Sequence, residues 1–504
     1  MKTDLVTFAA SHGKASTAKV TRKEQKELGQ FLTPVGIARH MAKRCASGID
    51  ADSVRVLEPA AGAGILAAAV VEELLNRSEP PSSIQVTLFE LDHRLVPPLH
   101  ALARKMREAG NDRGVSVSVS IKNEDFLLST IAVQQQPVAD LIIANPPYFK
   151  IRAGDSRAKA HPYAVYGQPN IYGLFMAACA ALTAPGGRWC FITPRSWTNG
   201  AYFAAVRRHL LAKLAIDAIH IFDSREAHFH DDEVLQEAMI TWASPHAQQA
   251  AQVILSASNG VGDIGDSKLC SLPISSVIGA DEQRMITLPL DGGAQADPME
   301  QWASTLGTYG LKVSTGPVVA FRAERHIRVK KGTETVPLLW MQHVQTMAVK
   351  WPLQKKREYI NASSSSAWML VRNEPMVLMR RFSPKEDQRR ITAAPYLGSL
   401  PGKVLGLENH LNYIYRPGGT LSKDEARGLA AYLSSSLVDR HIRSVSGSTQ
   451  VNAAELRKLP LPAQDILIDI GKKCREGMTL DETDEIVAAR LGYVAFDRLE
   501  GVKA

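Results

Sequence analysis

Hydrophobic and polar positions along residues 53–240 fall into two alternating textures. Short runs dominated by β-branched and aliphatic residues, VRVLEP (54–59), IQVTLFELD (84–92), VSVSIKNEDF (117–126) and ADLIIANPP (139–147), predict strands. Between them, GILAAAVVEELL (64–75) and HALARKMREAG (100–110) predict helices. This is the rhythm of βαβ units, which predicts an α/β fold with a mostly parallel sheet and ligands at the carboxyl ends of its strands. A helix over 171–184, a turn at Pro185, Gly186 and Gly187, and the strand RWCFITP (188–194) continue the pattern. Beyond residue 244 it loosens into polar, Gly-rich sequence, so 246–300 reads as peripheral structure and a linker. Residues 301–465 show no repeat period and read as a mixed α/β module, and 466–504 as a helical extension. The expected division is 1–245, 246–300, 301–465 and 466–504.

Composition narrows the class. With 504 residues, 45% hydrophobic and 22% charged, the chain is long enough for two or three globular domains and is neither collagen-like nor disordered. Cys45, Cys179, Cys190, Cys270 and Cys474 are odd in number and scattered, which argues against a disulfide framework and against a zinc site, so no metal is expected. The longest apolar stretch, 171–184, is too short for a membrane span and the N-terminal segment has no signal-like apolar block; a cytoplasmic protein without membrane contact is expected. Charge is uneven. Residues 301–460 hold 24 basic and 11 acidic residues, a surplus of +13 within a chain of net +8, so the rest sums to −5. A basic module on a mildly acidic one points to a polyanion partner, nucleic acid first.

Candidate chemistry begins at the first strand. Glu58, Pro59, Ala60, Gly62 and Gly64 form a small-residue turn into a helix, where glycine allows close approach of backbone to a ligand. Gly62, Gly64 and Ala67 also satisfy a G-x-G-x-x-A spacing, so a dinucleotide fold stays open. At the next strand tips stand Glu90, suited to ribose hydroxyls, and Asp125 with Phe126, suited to the amine and ring of adenine. The fourth strand runs into Asn145, Pro146, Pro147 and Tyr148, the candidate catalytic residues. The prolines stiffen the backbone, so the Asn145 amide oxygen and the Pro146 carbonyl become paired acceptors beside an aromatic ring. Such a pair suits an amino group on a planar ring, whose lone pair must be drawn out before it can attack a methyl group.

On these motifs the chain resembles the gamma-class adenine-specific DNA methyltransferases, over nearly its whole length. The resemblance implies S-adenosyl-L-methionine as cofactor, an S-adenosylmethionine domain followed by a target-recognition domain, and transfer to the N6 amine of a flipped adenine in double-stranded DNA. It assigns Thr33, Glu58, Pro59 and Ala60 to the methionine end, Glu90 to the ribose, and Asp125 and Phe126 to the adenine. Thr33 is read as the N-cap of a helix whose first residue is Pro34. Phe229 is assigned to stack on the target base, and the helix opening at Asn170 to stand behind the site.

The basic module resembles the PstI/BsuBI type of restriction–modification methylases through residues 312–322, 380–386, 409–413 and 446–452. That resemblance assigns Arg322, Arg380, Arg381, Lys385, His410 and Asn412 to DNA, without separating phosphate from base contacts. Asn452 and Glu455 also read as a capping box. A separately encoded endonuclease on the same site, a CTGCAG-like target, and a monomeric or dimeric enzyme are further implications. Three rival readings remain: RNA or protein-glutamine methylation, which poses the same lone-pair problem, and an inactive DNA-binding specificity protein. A bifunctional nuclease-methylase is disfavoured, since only about 50 residues precede the first strand.

Overall fold

The computed structural model describes residues 4–17, 32–222, 238–245, 251–288 (less 259, 280, 281 and 283), 299, 302–354, 357–383, 387–445 and 451–493. The chain divides into two compact units, Met1–Gly293 and Ala294–Ala504. Among the described residues no helix is long and apolar enough to cross a membrane.

In the N-terminal unit, nine strands form one sheet: β1 (Ser53–Glu58), β2 (Ser83–Phe89), β3 (Ser116–Lys122), β4 (Ala139–Ala144), β5 (Thr183–Pro194), β6 (Leu214–Phe222), β7 (Ala238–Pro245), β8 (Gln252–Ser258) and β9 (Leu269–Pro273), in the order β3-β2-β1-β4-β5-β7-β6-β8-β9. Pairing is parallel from β3 through β5, and β7 lies antiparallel to both its neighbours. The longer helices are α1 (Leu5–Thr17), α2 (Val35–Ala46), α3 (Ile65–Leu75), α4 (Val96–Asn111), α5 (Ile171–Leu182) and α6 (Ala204–Lys213).

Both faces of the sheet are covered, which explains why β4 reads as a continuous apolar run. Its period of two sends Leu141 and Ile143 into the layer of α2, α3 and α4, and Ile142 and Ala144 into the layer of α5 and α6. Each fully buried Leu or Ile contributes roughly 1.5–3 kcal/mol. The strand order reverses between β1 and β4, leaving a crevice at their carboxyl ends.

Two expectations are corrected here. The stretch 246–300 is not simply a linker: β8 pairs parallel with β6 and β9 antiparallel with β8, with Val253 and Leu255 in the core. Alternation over five to seven residues was masked by the Gly-rich loops flanking it. The Pro185-Gly186-Gly187 turn lies inside β5, as an irregularity where the register against β4 shifts between Ala139 and Leu141.

The C-terminal unit is mixed α/β. Its strands are β10 (Lys312–Thr315), β11 (Ile327–Arg328), β12 (Thr335–Leu339), β13 (Val344–Gln345), β14 (Ala348–Val349), β15 (Tyr359–Asn361), β16 (Leu370–Arg372), β17 (Pro375–Arg380), β18 (Ala393–Leu397), β19 (Val404–Leu407) and β20 (Leu411–Tyr415). They form a four-stranded sheet β10-β20-β17-β18, a five-stranded sheet β11-β15-β12-β19-β16 and the hairpin β13-β14. Helices α7 (Lys423–Leu433), α8 (Ser436–Val445), α9 (Gln464–Lys473) and α10 (Leu480–Leu491) follow. The expected C-terminal extension is instead part of this unit's core, since Leu467, Ile470 and Val487 pack with Leu429 and Tyr432. Helices α7 and α9 approach backbone to backbone: a Cβ on Gly428 would lie 1.7 Å from the Leu467 carbonyl oxygen, so only glycine fits.

Candidate functional site

The β1-to-α3 turn is held by backbone donors. Ala61 N–H donates to the Phe89 carbonyl at 2.8 Å and Gly62 N–H to Glu90 Oε2 at 2.6 Å, tying the turn to the tip of β2. Gly62 (φ +53°) has room for no more than van der Waals contact, a Cβ there lying 3.9 Å from Leu32 Cδ2, whereas Gly64 (φ +77°) ends the turn as the N-cap of α3. A Cβ on Gly64 would lie 2.6 Å from Leu102 Cδ2, so this glycine serves the packing of the turn on α4, and it does not line the cavity described below.

Three acids stand at successive strand tips. Glu58 is only 1% exposed and accepts from the Ala67 N–H at 2.9 Å; burial pushes its carboxyl well above the usual range. Glu90 accepts from Gly62 and from Asp92 N–H at 2.7 Å, yet burial still raises it to about 7. Asp125 caps the short turn Phe126–Leu128 through Leu127 N–H at 3.0 Å; burial raises its carboxyl too, and Arg157, with Nη1 at 3.9 Å, acts against that rise. Phe126 is buried between Phe89 (ring centroids 5.2 Å) and Phe175 (5.5 Å).

These groups line a cavity of about 330 Å³, together with Thr33, Pro59, Ala60, Gly62, Asn145 and Pro147. The sequence reading missed Leu32, Asp92, Phe149, Arg157 and Phe175, which also line it. Asp92 follows directly on a predicted strand tip and was open to inference. Arg157 is held by two residues near it in sequence, Asp155 at 2.8 Å and the Phe149 ring at 5.8 Å. Among the described residues no group of His, Cys, Asp or Glu is arranged to hold a metal ion.

At the lip of the cavity, Asn145 is bracketed. Its Nδ2 donates to Thr33 Oγ1 at 3.1 Å, and its Oδ1 accepts from the Tyr148 hydroxyl at 2.5 Å. The Tyr148 hydroxyl also lies 3.1 Å from the Ile192 carbonyl on β5, and its ring meets Tyr172 of α5 edge-on at 5.9 Å. Thr33 is therefore not a helix cap. Pro34 holds the N-cap position of α2, and the Thr33 hydroxyl turns to the catalytic candidate. Asn170 caps α5, accepting from Tyr172 N–H at 3.4 Å.

Residues 106–229 match the family described as Eco57I restriction-modification methylase. Over 468 residues the chain is 32% identical to the Type II methyltransferase M.BsuBI of Bacillus subtilis, covering 89% of this chain and 90% of that protein. The chain belongs to the type II restriction–modification methyltransferases. It is also 28% identical to the Type II methyltransferase M.PstI of Providencia stuartii over 94% of both chains. In fold it is similar to a chain of the DrdV–DNA complex, with a TM-score of 0.50 at 14% identity, covering 93% of this chain and 59% of that one.

In the C-terminal unit of this methyltransferase the expected DNA-binding residues separate. Arg322 is exposed, its guanidinium 5.3 Å from the ring of Phe321. His410 is half exposed and paired with Glu408. Arg381 is partly buried, with Nη1 3.4 Å from the Asn409 carbonyl and its guanidinium over Phe382 at 5.9 Å. Asn412 does not fit a DNA contact. Asn412 is 1% exposed, and its amide is engaged by Val451 and Thr315 at 2.9 and 3.0 Å, so it stitches the fold rather than facing a ligand. Arg380 directs Nε to the Val344 carbonyl at 2.7 Å and braces the β13-β14 hairpin. The Asn452–Glu455 capping box is present, with Asn452 N–H donating to Glu455 Oε2 at 3.0 Å. Phe229 and Lys385 lie outside the described residues.

Proposed function

We propose that this methyltransferase transfers a methyl group from S-adenosyl-L-methionine to the N6 amine of an adenine in double-stranded DNA, as the modification enzyme of a restriction–modification system. The observation that carries this reading is that Asn145, held by the Tyr148 hydroxyl, lines with Pro147 the same cavity as the acids from successive strand tips. The cavity suits the cofactor in size and in donor set. Its volume is in the range of small-molecule sites, Gly62 lines it without a side chain, and Glu58 and Glu90 take no hydrogen bond from a basic side chain among the described residues.

In this reading Glu90 accepts from the ribose hydroxyls, Asp125 from the adenine amine with Phe126 against the ring, and Thr33, Glu58, Pro59 and Ala60 surround the methionine end. When bound, the cofactor supplies an electron-poor methyl group on sulfur. The chain's own part is to make the target amine nucleophilic. Asn145 Oδ1 and the Pro146 carbonyl accept its two N–H groups, which draws the nitrogen lone pair out of the ring and stabilises the charge that develops there. The amine is out of reach inside stacked DNA, so the base leaves the helix, with Tyr148 and Phe229 to receive it.

Incubation with methyl-labelled cofactor and duplex DNA, RNA or protein, followed by nucleoside digestion, tests the proposal. Label is expected in DNA as N6-methyladenine. Label confined to RNA or protein, or found on cytosine, overturns it.

A further inference from the structure

Three segments far apart in the sequence, together with residues 451 and 452, meet at one end of the β10-β20-β17-β18 sheet. Gly316 N–H donates to Leu411 O at 2.8 Å, Asn409 N–H to Val318 O at 3.0 Å, Arg381 N–H to His410 O at 2.8 Å and Val451 N–H to Arg381 O at 2.9 Å. The backbones are pressed together, since a Cβ on Gly316 would lie 2.2 Å from the Glu408 carbonyl oxygen. What this end presents is cationic and aromatic: Phe321, 76% exposed, beside Arg322, and His410 edge-on to Phe382 at 5.0 Å.

His410 is held in one orientation by a buried acid. Its backbone N–H donates to Glu408 Oε2 at 3.0 Å, and its Nδ1 lies 2.7 Å from Glu408 Oε1. Glu408 Oε1 approaches Nδ1 off the N–H axis and takes no hydrogen bond there, but its charge repels a lone pair on that nitrogen and so favours the tautomer with the proton on Nδ1 and the acceptor on Nε2. In the major groove an acceptor of this kind matches the exocyclic amine of adenine or cytosine, not the acceptor edge of guanine. We propose that this sheet end is the base-reading surface of the enzyme, that His410 reads one amine-bearing base through Nε2 with its tautomer set by Glu408, and that Arg322 contacts a phosphate. The inference rests on the reading of this chain as a DNA methyltransferase.

Binding of the full chain to its methylated duplex sequence, with each base replaced in turn, tests it. In the wild type, removal of one exocyclic amine is expected to weaken binding roughly tenfold to a hundredfold. The substitution His410→Ala should abolish that penalty at the one position and leave the salt dependence unchanged. Arg322→Ala should instead leave discrimination intact and lower the log–log salt slope by about 0.9. Glu408→Gln supplies a second test. The Gln carbonyl must take the place of Oε2 to accept the His410 N–H, which puts its amide N–H₂ against Nδ1. The ring proton then moves to Nε2, and preference at that position should shift toward guanine. A His410→Ala protein with unchanged discrimination, or with a flattened salt slope, overturns the role of His410. A wild-type chain that selects no duplex sequence overturns the DNA reading itself.

Discussion

The most buried acids of the two units are held differently. In the C-terminal unit buried acids are paired: Asp484 meets Arg389 at 3.4 Å, the Ser436 N–H at 2.7 Å and the Tyr493 hydroxyl at 2.8 Å, and Glu425 meets Arg416 at 2.6 Å. In the N-terminal unit Glu58 and Glu90 are equally buried and receive only backbone donors among the described residues. Net charge divides along the same line. The first unit has 29 basic and 29 acidic residues, the second 30 and 22, so the whole surplus of eight lies in the second. Paired buried charges brace a scaffold. Buried carboxylates left without a cation are costly and are kept where a ligand uses them.

The largest effect of a mutation is expected at Asp484. Asp484→Ala leaves Arg389 and a backbone N–H without their acceptor and should cost about 3–5 kcal/mol in denaturant unfolding. Turnover per folded molecule should stay near wild type.

Asn145→Ala, at the site, should do the reverse. Turnover is expected to fall roughly a hundredfold to a thousandfold, the scale of losing one preorganised contact to developing charge. Calorimetric cofactor affinity and unfolding midpoint should barely move.

Glu90 sharpens the contrast through pH. Its folded value is raised from 4.5 to about 7, so its contribution to the stability of the cofactor-free protein is full below 4.5 and is lost as pH rises through 7. That contribution is at most about 3 kcal/mol. Glu90→Gln should flatten stability between pH 4.5 and 7. Cofactor affinity of the wild type should rise over the same window as the carboxylate ionises, and the variant should lose this rise.

The smallest effect is expected at Thr33. Thr33→Val removes the acceptor for Asn145 Nδ2 and should lower turnover about fivefold to tenfold, the worth of one hydrogen bond. Thr33→Ser should restore it, and a Val variant with full turnover would detach Thr33 from the positioning of Asn145.

Much of the catalytic unit was legible because its signals are local. Apolar runs, Gly-rich turns and acids at strand ends are properties of adjacent residues, and a parallel sheet places every such strand tip on the same edge. Local pattern alone is thus enough for the α/β architecture, for the acids Glu58, Glu90 and Asp125 on one crevice, and for the stiff Asn145-to-Tyr148 segment beside them. It failed where the partner is distant or the element short. β8 and β9 hid between glycines, and Thr33 turned to a partner 112 residues away.

Which polar side chains can act is settled by long-range packing. Thr33 and Asn145 are 112 positions apart and meet because α2 starts where β4 ends, which turns an expected helix cap into a brace for the amide. Asn412 and His410 are two residues apart in one motif, yet the first is sealed under Val451 and the second faces outward over Glu408. Pattern and propensity select an element and its faces. Whether a given side chain is enclosed by its neighbours or open to a ligand depends on segments brought together by the fold, which no local stretch encodes.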